Sequence, residues 1–163
     1  MVRVLFICLG NICRSPTAEG VFRALVRREG LSDQISTDSC GTSDWHIGGP
    51  PDDRASEEAM RRGISLDDLK ARQIHVDDFA DFDYVLGMDK QNIDRLSQLC
   101  PPLYRDRVQL FLDFAPALPI REVPDPYYGG DDGFRAVFDM IETASQGLLD
   151  DIRKTHLQNK PVT

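Results

Sequence analysis

Val2–Ile7 (VRVLFI) is almost wholly apolar and gives way without a spacer to CLGNICRSP. Nothing else in the sequence constrains the fold as strongly. A short apolar run of this kind predicts a strand covered on both faces, as in a sheet lying between layers of helix. Gly10 and Asn11 then break the run. Beyond Ser15 and Pro16, the residues Ala18, Val21, Phe22, Leu25 and Val26 fall on one helical face, and Gly30 ends it. Ser15 is the expected N-cap and Pro16 the expected first helical residue. The opening unit therefore reads as strand, loop, helix.

The same alternation continues. A second strand is expected over Ile35–Cys40, followed by a Gly- and Pro-rich loop (Gly41–Pro51) that carries the only tryptophan, Trp45. A helix over Arg54–Arg62 stops at Gly63, and Tyr84–Met88 reads as a third strand. Asp89 caps a helix running to about Leu99, and Val108–Leu112 forms a short fourth strand. Phe134, Val137, Phe138, Ile141, Leu148 and Ile152 mark a long amphipathic helix. Alternating strands and helices predict the α/β class, with a parallel sheet between helical layers. The 163 residues suit a single domain, expected over residues 1–156, with 157–163 a disordered tail. In such folds ligands bind beyond the carboxyl ends of the strands, where the loop after strand one lies.

That loop, Cys8–Ser15, has the makings of an anion site. A helix N-terminus behind it aims backbone N–H groups at one point. Gly10 allows close backbone approach, and Asn11 tolerates a left-handed backbone. Arg14 offers a planar fork matched to two phosphate oxygens. A cysteine at the mouth of such a nest is favoured as a thiolate nucleophile, and the Ser15 hydroxyl can donate to its sulfur. Leu9, Ile12 and Cys13 complete the loop wall. A lone cysteine at a strand end is commonly just a small buried hydrophobe. It is the full CLGNICRSP, set between a strand and a helix, that favours catalysis. A covalent mechanism also needs a proton donor, and Asp125 in VPDPYYGG is the best candidate. Pro124 and Pro126 stiffen its loop, and Tyr127 and Tyr128 can wall the acid. Trp45 is expected at the rim of the same cleft.

Several functions are disfavoured. The net charge of −8 argues against nucleic acid and anionic membrane as partners. It also requires a strong local field to capture any anionic substrate. No run is long enough for a membrane span, and the N-terminus reads as a strand rather than a signal, so a cytoplasmic protein is expected. Cys8, Cys13, Cys40 and Cys100 are then expected as reduced thiols. Without a CxxC pair or ligand-like histidine spacing, neither a metal nor a cofactor is expected. The loop lacks a GKS or GKT, which disfavours nucleotide binding.

CLGNICRSP, SDWHIGGPPDDRA, KARQI, FDYVLGMD and DPYYGG resemble the low-molecular-weight protein tyrosine phosphatase family over about residues 2–153. The resemblance implies a three-layer α/β/α domain with a four-stranded parallel sheet, no metal, and phosphotyrosine proteins as substrates. It implies that Cys8 attacks phosphorus while Asp125 protonates the leaving oxygen, and that water then hydrolyses the phosphocysteine. Arg14 and the loop amides would bind the phosphoryl oxygens, Asn11 and Ser39 would brace the loop, and Trp45, Tyr127 and Tyr128 would sandwich the aromatic ester. A bacterial tyrosine kinase is a candidate partner and a monomer the default state. Two positions depart from the pattern. Leu69 stands where the family often has His, so a shorter bracing network, centred on Ser39, is expected. Asp53 replaces a usual Pro and should be tolerated. Among related chemistries, arsenate reduction would need a resolving cysteine pair that is absent from DFDYVLGMDKQN. Arginine phosphatases, close relatives, usually carry Thr where this loop has Ile12 and lack the second aromatic after DP, so Ile12 and Tyr128 both favour phosphotyrosine. A binding module would have no use for Asp125. Cys13 invites a further expectation, a reversible disulfide with oxidised Cys8.

Overall fold

The structure, a computed structural model, describes residues 1–157. Strands β1 (Val2–Cys8), β2 (Ile35–Gly41), β3 (Tyr84–Gly87) and β4 (Val108–Leu110) form one sheet in the order β2-β1-β3-β4, parallel throughout. The helices are α1 (Arg14–Arg28), α2 (Asp53–Arg61), α3 (Asp78–Asp81), α4 (Lys90–Leu99) and α5 (Asp131–Ile152). Alternate residues of β1 serve opposite faces, as its pleat requires. Val4 and Phe6 pack in one cluster with Phe22 and Leu25 of α1 and Phe138 and Ile141 of α5. Leu5 and Ile7 pack in a second with Phe79 of α3 and Leu96 of α4. Each such buried side chain contributes about 1.5–3 kcal/mol, so both layers are held by the central strand. This is the three-layer α/β/α arrangement.

From β1 the chain crosses through α1 to β2 on one side, then returns to β3 on the other. The carboxyl end of β1 therefore lies at the point where the strand order reverses, the usual crevice for a ligand.

Some elements differ from the sequence expectation, each for a local reason. α1 begins at Arg14 with Cys13 in the capping position, one turn's fraction earlier than Ser15. Pro16 is accommodated because N–H groups of a first turn have no partner within the helix. Thr17 N–H is the first to bond back, to Cys13 O at 3.3 Å. β4 stops at Leu110, and Phe111–Phe114 forms a 3₁₀ turn that drives Phe111 and Leu112 into the core. The expected helix over 54–62 runs Asp53–Arg61, with the Asp52 carboxylate accepting the Arg54 N–H at 2.8 Å. Asp53 is thus the first helical residue, where a carboxylate suits the helix dipole as well as a proline suits the geometry. Gly63, at φ +80°, closes that helix in a conformation open to glycine. α3 and the 3₁₀ turn Pro102–Arg107 were not anticipated, being too short to show a period. Of the expected tail, Leu157 ends a π turn and packs against the core, whereas 158–163 lie outside the described residues.

Candidate active site

Cys8 ends β1, and the loop that follows turns its carbonyls outward. Cys8 O accepts from Thr42 N, Leu9 O from Ser43 N, and Ile12 O from Asp52 N at 2.7 Å. Cys13 O accepts from the Thr17 hydroxyl at 2.7 Å. Among the described residues, the N–H groups of Gly10, Ile12, Cys13, Arg14 and Ser15 have no hydrogen-bond partner, whereas Asn11 N–H donates to Cys8 Sγ at 3.2 Å. The loop is thus a row of donors gathered around one sulfur, backed by the α1 N-terminus. Asn11 holds the bend at φ +56°, a conformation Asn tolerates better than most residues. Gly10 lies against His46, whose Cδ2 would be 3.2 Å from any added Cβ. Gly41 plays a part the sequence reading missed. A Cβ there would sit 2.8 Å from Leu9 O, so glycine lets the loop rest on the end of β2.

Beneath the loop runs a chain of polar side chains. Asn11 Nδ2 donates to Ser15 Oγ at 2.8 Å and to Ser39 Oγ at 3.0 Å, while Asn11 Oδ1 accepts from Arg72 N at 3.0 Å. Ser15 Oγ accepts from Asn11, lies 3.0 Å from Cys8 Sγ and 3.4 Å from Cys40 O, and can donate to either. Ser39 braces Asn11 as expected, but the expected shortening of the network is overturned. The Ser39 hydroxyl donates to Glu19 Oε1 at 2.7 Å, so Glu19 joins Asn11, Ser15 and Ser39 in the network. Leu69 is simply buried in the core cluster. The sequence did carry a signal for Glu19, since it lies one helical turn from Ser15 and so shares its inward face.

Glu19 is only 7% exposed, and desolvation holds its carboxyl above the usual range despite the Ser39 hydrogen bond. Asp38 and Asp68 add to the rise and Arg23 opposes it. The folded carboxyl therefore binds its proton more tightly than the unfolded one does. Its contribution to stability is complete below the unfolded value and is lost as pH rises through the folded value. Glu19→Gln should accordingly gain in stability on the wild type between acidic and neutral pH. Urea unfolding of both proteins at the two pH values checks this, and a gap that did not move with pH would contradict it.

Arg14, the first residue of α1, is 2% exposed and lines the cleft. Its Nη1 donates to Asp89 Oδ2 at 2.6 Å and to Val123 O at 3.0 Å, and Nη2 lies 3.7 Å from Asp125 Oδ2. Burial works against its charge, but Cys8, Asp89 and Asp125 more than restore it, and its pKa is raised. Asp89 entered the sequence reading only as a helix cap. It does cap α4, accepting from Asn92 N through Oδ1 at 2.8 Å, and its other oxygen anchors Arg14.

Asp125 comes from the loop before α5. Its Oδ1 accepts from Tyr127 N at 3.0 Å, and its Oδ2 is the oxygen nearest Arg14. Cys8, Arg14 and Asp125 open on one cleft of about 160 Å³. Leu9, Gly10, Ile12 and Cys13 form its floor, and Trp45, His46, Tyr127 and Tyr128 its sides. The two tyrosine rings meet edge to face at 5.0 Å, and Tyr128 is 91% exposed. Asn11, Ser15 and Ser39 lie below the cleft as braces rather than in its wall. Burial pushes the Cys13 thiol up, with Asp52 and Cys8 adding to the effect, so Cys13 stays protonated at neutral pH. Such a site can hold a tetrahedral dianion against a sulfur nucleophile, with a carboxyl group alongside to handle a proton.

Comparison with known proteins agrees with this chemistry. The family model described as low molecular weight phosphotyrosine protein phosphatase matches residues 3–159. The low molecular weight protein-tyrosine-phosphatase YfkJ of Bacillus subtilis is 43% identical over 154 residues, covering 94% of this chain and 97% of that protein. The crystal structure of a protein tyrosine phosphatase from Entamoeba histolytica superposes with a TM-score of 0.92 at 37% identity, covering 94% and 98% of the two chains. An arginine phosphatase from Drosophila superposes with a TM-score of 0.87 at 29% identity, covering 94% and 98%.

Proposed function

The chain belongs to the low molecular weight phosphotyrosine protein phosphatase family, and on that premise we propose how its residues divide the work. The protein is a protein-tyrosine phosphatase, a hydrolase of phosphoric monoesters. In our reading the Cys8 thiolate attacks phosphorus, forming the S–P bond as the bond to the tyrosine oxygen breaks. Asp125, in its acid form, gives its proton to that oxygen, and tyrosine leaves. Water then attacks the phosphocysteine and yields a proton to the Asp125 carboxylate. The S–P electrons return to Cys8, and inorganic phosphate departs. Arg14 and the unpaired loop amides hold the three phosphoryl oxygens and gain most at the transition state. Ser15 stabilises the sulfur as a leaving group.

The observation that carries this reading is the convergence of Cys8 Sγ, the free edge of Arg14 and Asp125 on one cleft. Its aromatic sides, Trp45, Tyr127 and Tyr128, suit a planar ester. Phosphotyrosine proteins are the substrate class, and the autophosphorylated tyrosines of a bacterial tyrosine kinase are one source we propose. We take the working form to be a cytoplasmic monomer. Among the described residues no helix is long and apolar enough to cross a membrane. A disulfide between oxidised Cys8 and Cys13 belongs to the same proposal, with mass spectrometry of peroxide-treated protein as its check.

The decisive experiment compares phosphotyrosine, phosphoserine and phosphoarginine peptides. Wild type is expected to hydrolyse the first alone, and Asp125→Asn to lose about 10²–10⁴-fold on it. Comparable hydrolysis of phosphoarginine would move the chain to the chemistry of its Drosophila neighbour.

A further inference from the structure

Arg54 meets neither the sulfur nor the phosphate loop's donors, yet it is the cation most fully committed to the acid-bearing loop. It sits in the first turn of α2, and its guanidinium is spent on three partners. Nε and Nη2 each lie 3.2 Å from a different oxygen of Asp52. Nη2 also donates to Tyr127 O at 2.8 Å, and Nη1 to Gly129 O at 3.1 Å. The guanidinium lies over the Phe134 ring at 4.6 Å, at the start of α5. Both ends of this assembly are tied to the site. Asp52 N–H donates to Ile12 O of the phosphate loop at 2.7 Å, and Tyr127 N–H donates to Asp125 Oδ1 at 3.0 Å. A continuous path thus runs from Ile12 through Asp52, Arg54 and Tyr127 to Asp125.

Among the described residues, the other hydrogen bonds of Pro126–Gly130 are Gly129 N–H to Pro126 O and Gly133 N–H to Gly130 O, both at 3.0 Å, and although Pro126 is buried, Tyr128 stands in solvent. We propose that Arg54 is a positioning residue for the general acid. It fixes the carbonyls of Tyr127 and Gly129, so that the Tyr127 N–H pins one oxygen of Asp125 and directs the other over the cleft. A planar fork can grip a carboxylate and two carbonyls at once, whereas an ammonium cannot hold all of them in one geometry. The inference rests on Asp125 being the proton donor.

The test is kcat/KM for two esters, a phenyl phosphate whose leaving group needs a proton and a dinitrophenyl phosphate whose leaving group does not. Arg54→Gln should lose about 10- to 100-fold on the first, a cost typical of a misplaced catalytic group, and stay within about twofold on the second. Arg54→Lys, which keeps the charge, should fall between wild type and Arg54→Gln on the first ester. In an Asp125→Asn background Arg54→Gln should add less than about twofold, because both changes remove one function. Inhibition by inorganic phosphate should be unchanged in both Arg54 variants. Equal losses on the two esters, or phosphate inhibition weakened about tenfold, would place Arg54 in binding or in general stability and overturn the proposal. Should Asp125→Asn itself fail to distinguish the esters, the acid assignment falls first and Arg54 with it. That outcome differs from one in which Asp125→Asn discriminates and Arg54→Gln does not.

Discussion

Cys8→Ser should abolish hydrolysis of phosphotyrosine, with kcat/KM falling by on the order of 10⁴–10⁶ while the protein still binds phosphate. Asn11 N–H donates to the sulfur at 3.2 Å, the Ser15 hydroxyl lies 3.0 Å from it, and Arg14 lines the same cleft. Those donors cannot ionise an alcohol, whose proton is held far more tightly than a thiol's. The serine would thus be a poor nucleophile, and any phosphoserine it formed would be a poor leaving group in the second step. Binding is a separate property. It depends on unpaired loop amides and Arg14, which the substitution does not touch, and removal of a negative sulfur lessens repulsion toward a dianion. Isothermal titration with inorganic phosphate is therefore expected to give a Kd within a few-fold of wild type, or tighter. Hydrolysis by Cys8→Ser at a rate near wild type would end the covalent mechanism altogether.

Much of this was legible because it is written in local patterns. β1 shows as an unbroken apolar run since both its faces are buried, and Leu5 and Phe6 go to opposite clusters without altering that pattern. Cys8, Gly10, Asn11 and Arg14 lie within one strand-to-helix loop, so their meeting needs no knowledge of tertiary structure. Asp125 is different. It lies more than a hundred residues away, and only the stiff, aromatic DPYYGG and a family resemblance made it a candidate. The residues that were missed act across the fold. Asp89 reaches Arg14 because β1 and β3 are neighbours in the sheet, and sequence periodicity does not report strand order. Glu19 reaches Ser39 because α1 packs against β2, a contact no helical pattern specifies. Asp52 and Arg54 look like an ordinary helix start, which they also are. The misjudged bracing network has the same origin. The departure at Leu69 was visible, and Glu19 shares the inward face of Ser15, but its bond to Ser39 depends on how α1 packs on β2.

The second large effect is expected at Arg14. Arg14→Lys should lower kcat/KM by about 10²–10³-fold, the cost of losing one preorganised oxyanion donor. Nη1 is committed to Asp89 and Val123 O, at 2.6 and 3.0 Å, which holds the guanidinium plane and leaves Nη2 and Nε as an edge for two phosphoryl oxygens. A lysine ammonium is one point of charge. It can stay with Asp89 and the carbonyl or reach for phosphate, but it cannot hold one pair while presenting a fixed edge to the other. Charge spreads over the equatorial oxygens as the phosphoryl group transfers, so the deficit should be larger for the transition state than for the bound product. Inorganic phosphate is expected to weaken by only about tenfold, and vanadate, which mimics the trigonal transition state, by far more. The loss should also be the same for phenyl and dinitrophenyl phosphates, because Arg14 serves the phosphoryl oxygens and not the departing one. That independence separates it from Asp125, and the separation is the informative result. A loss confined to the phenyl ester would mean that Arg14 acts by holding Asp125, across the 3.7 Å that separates them, and not by gripping phosphate.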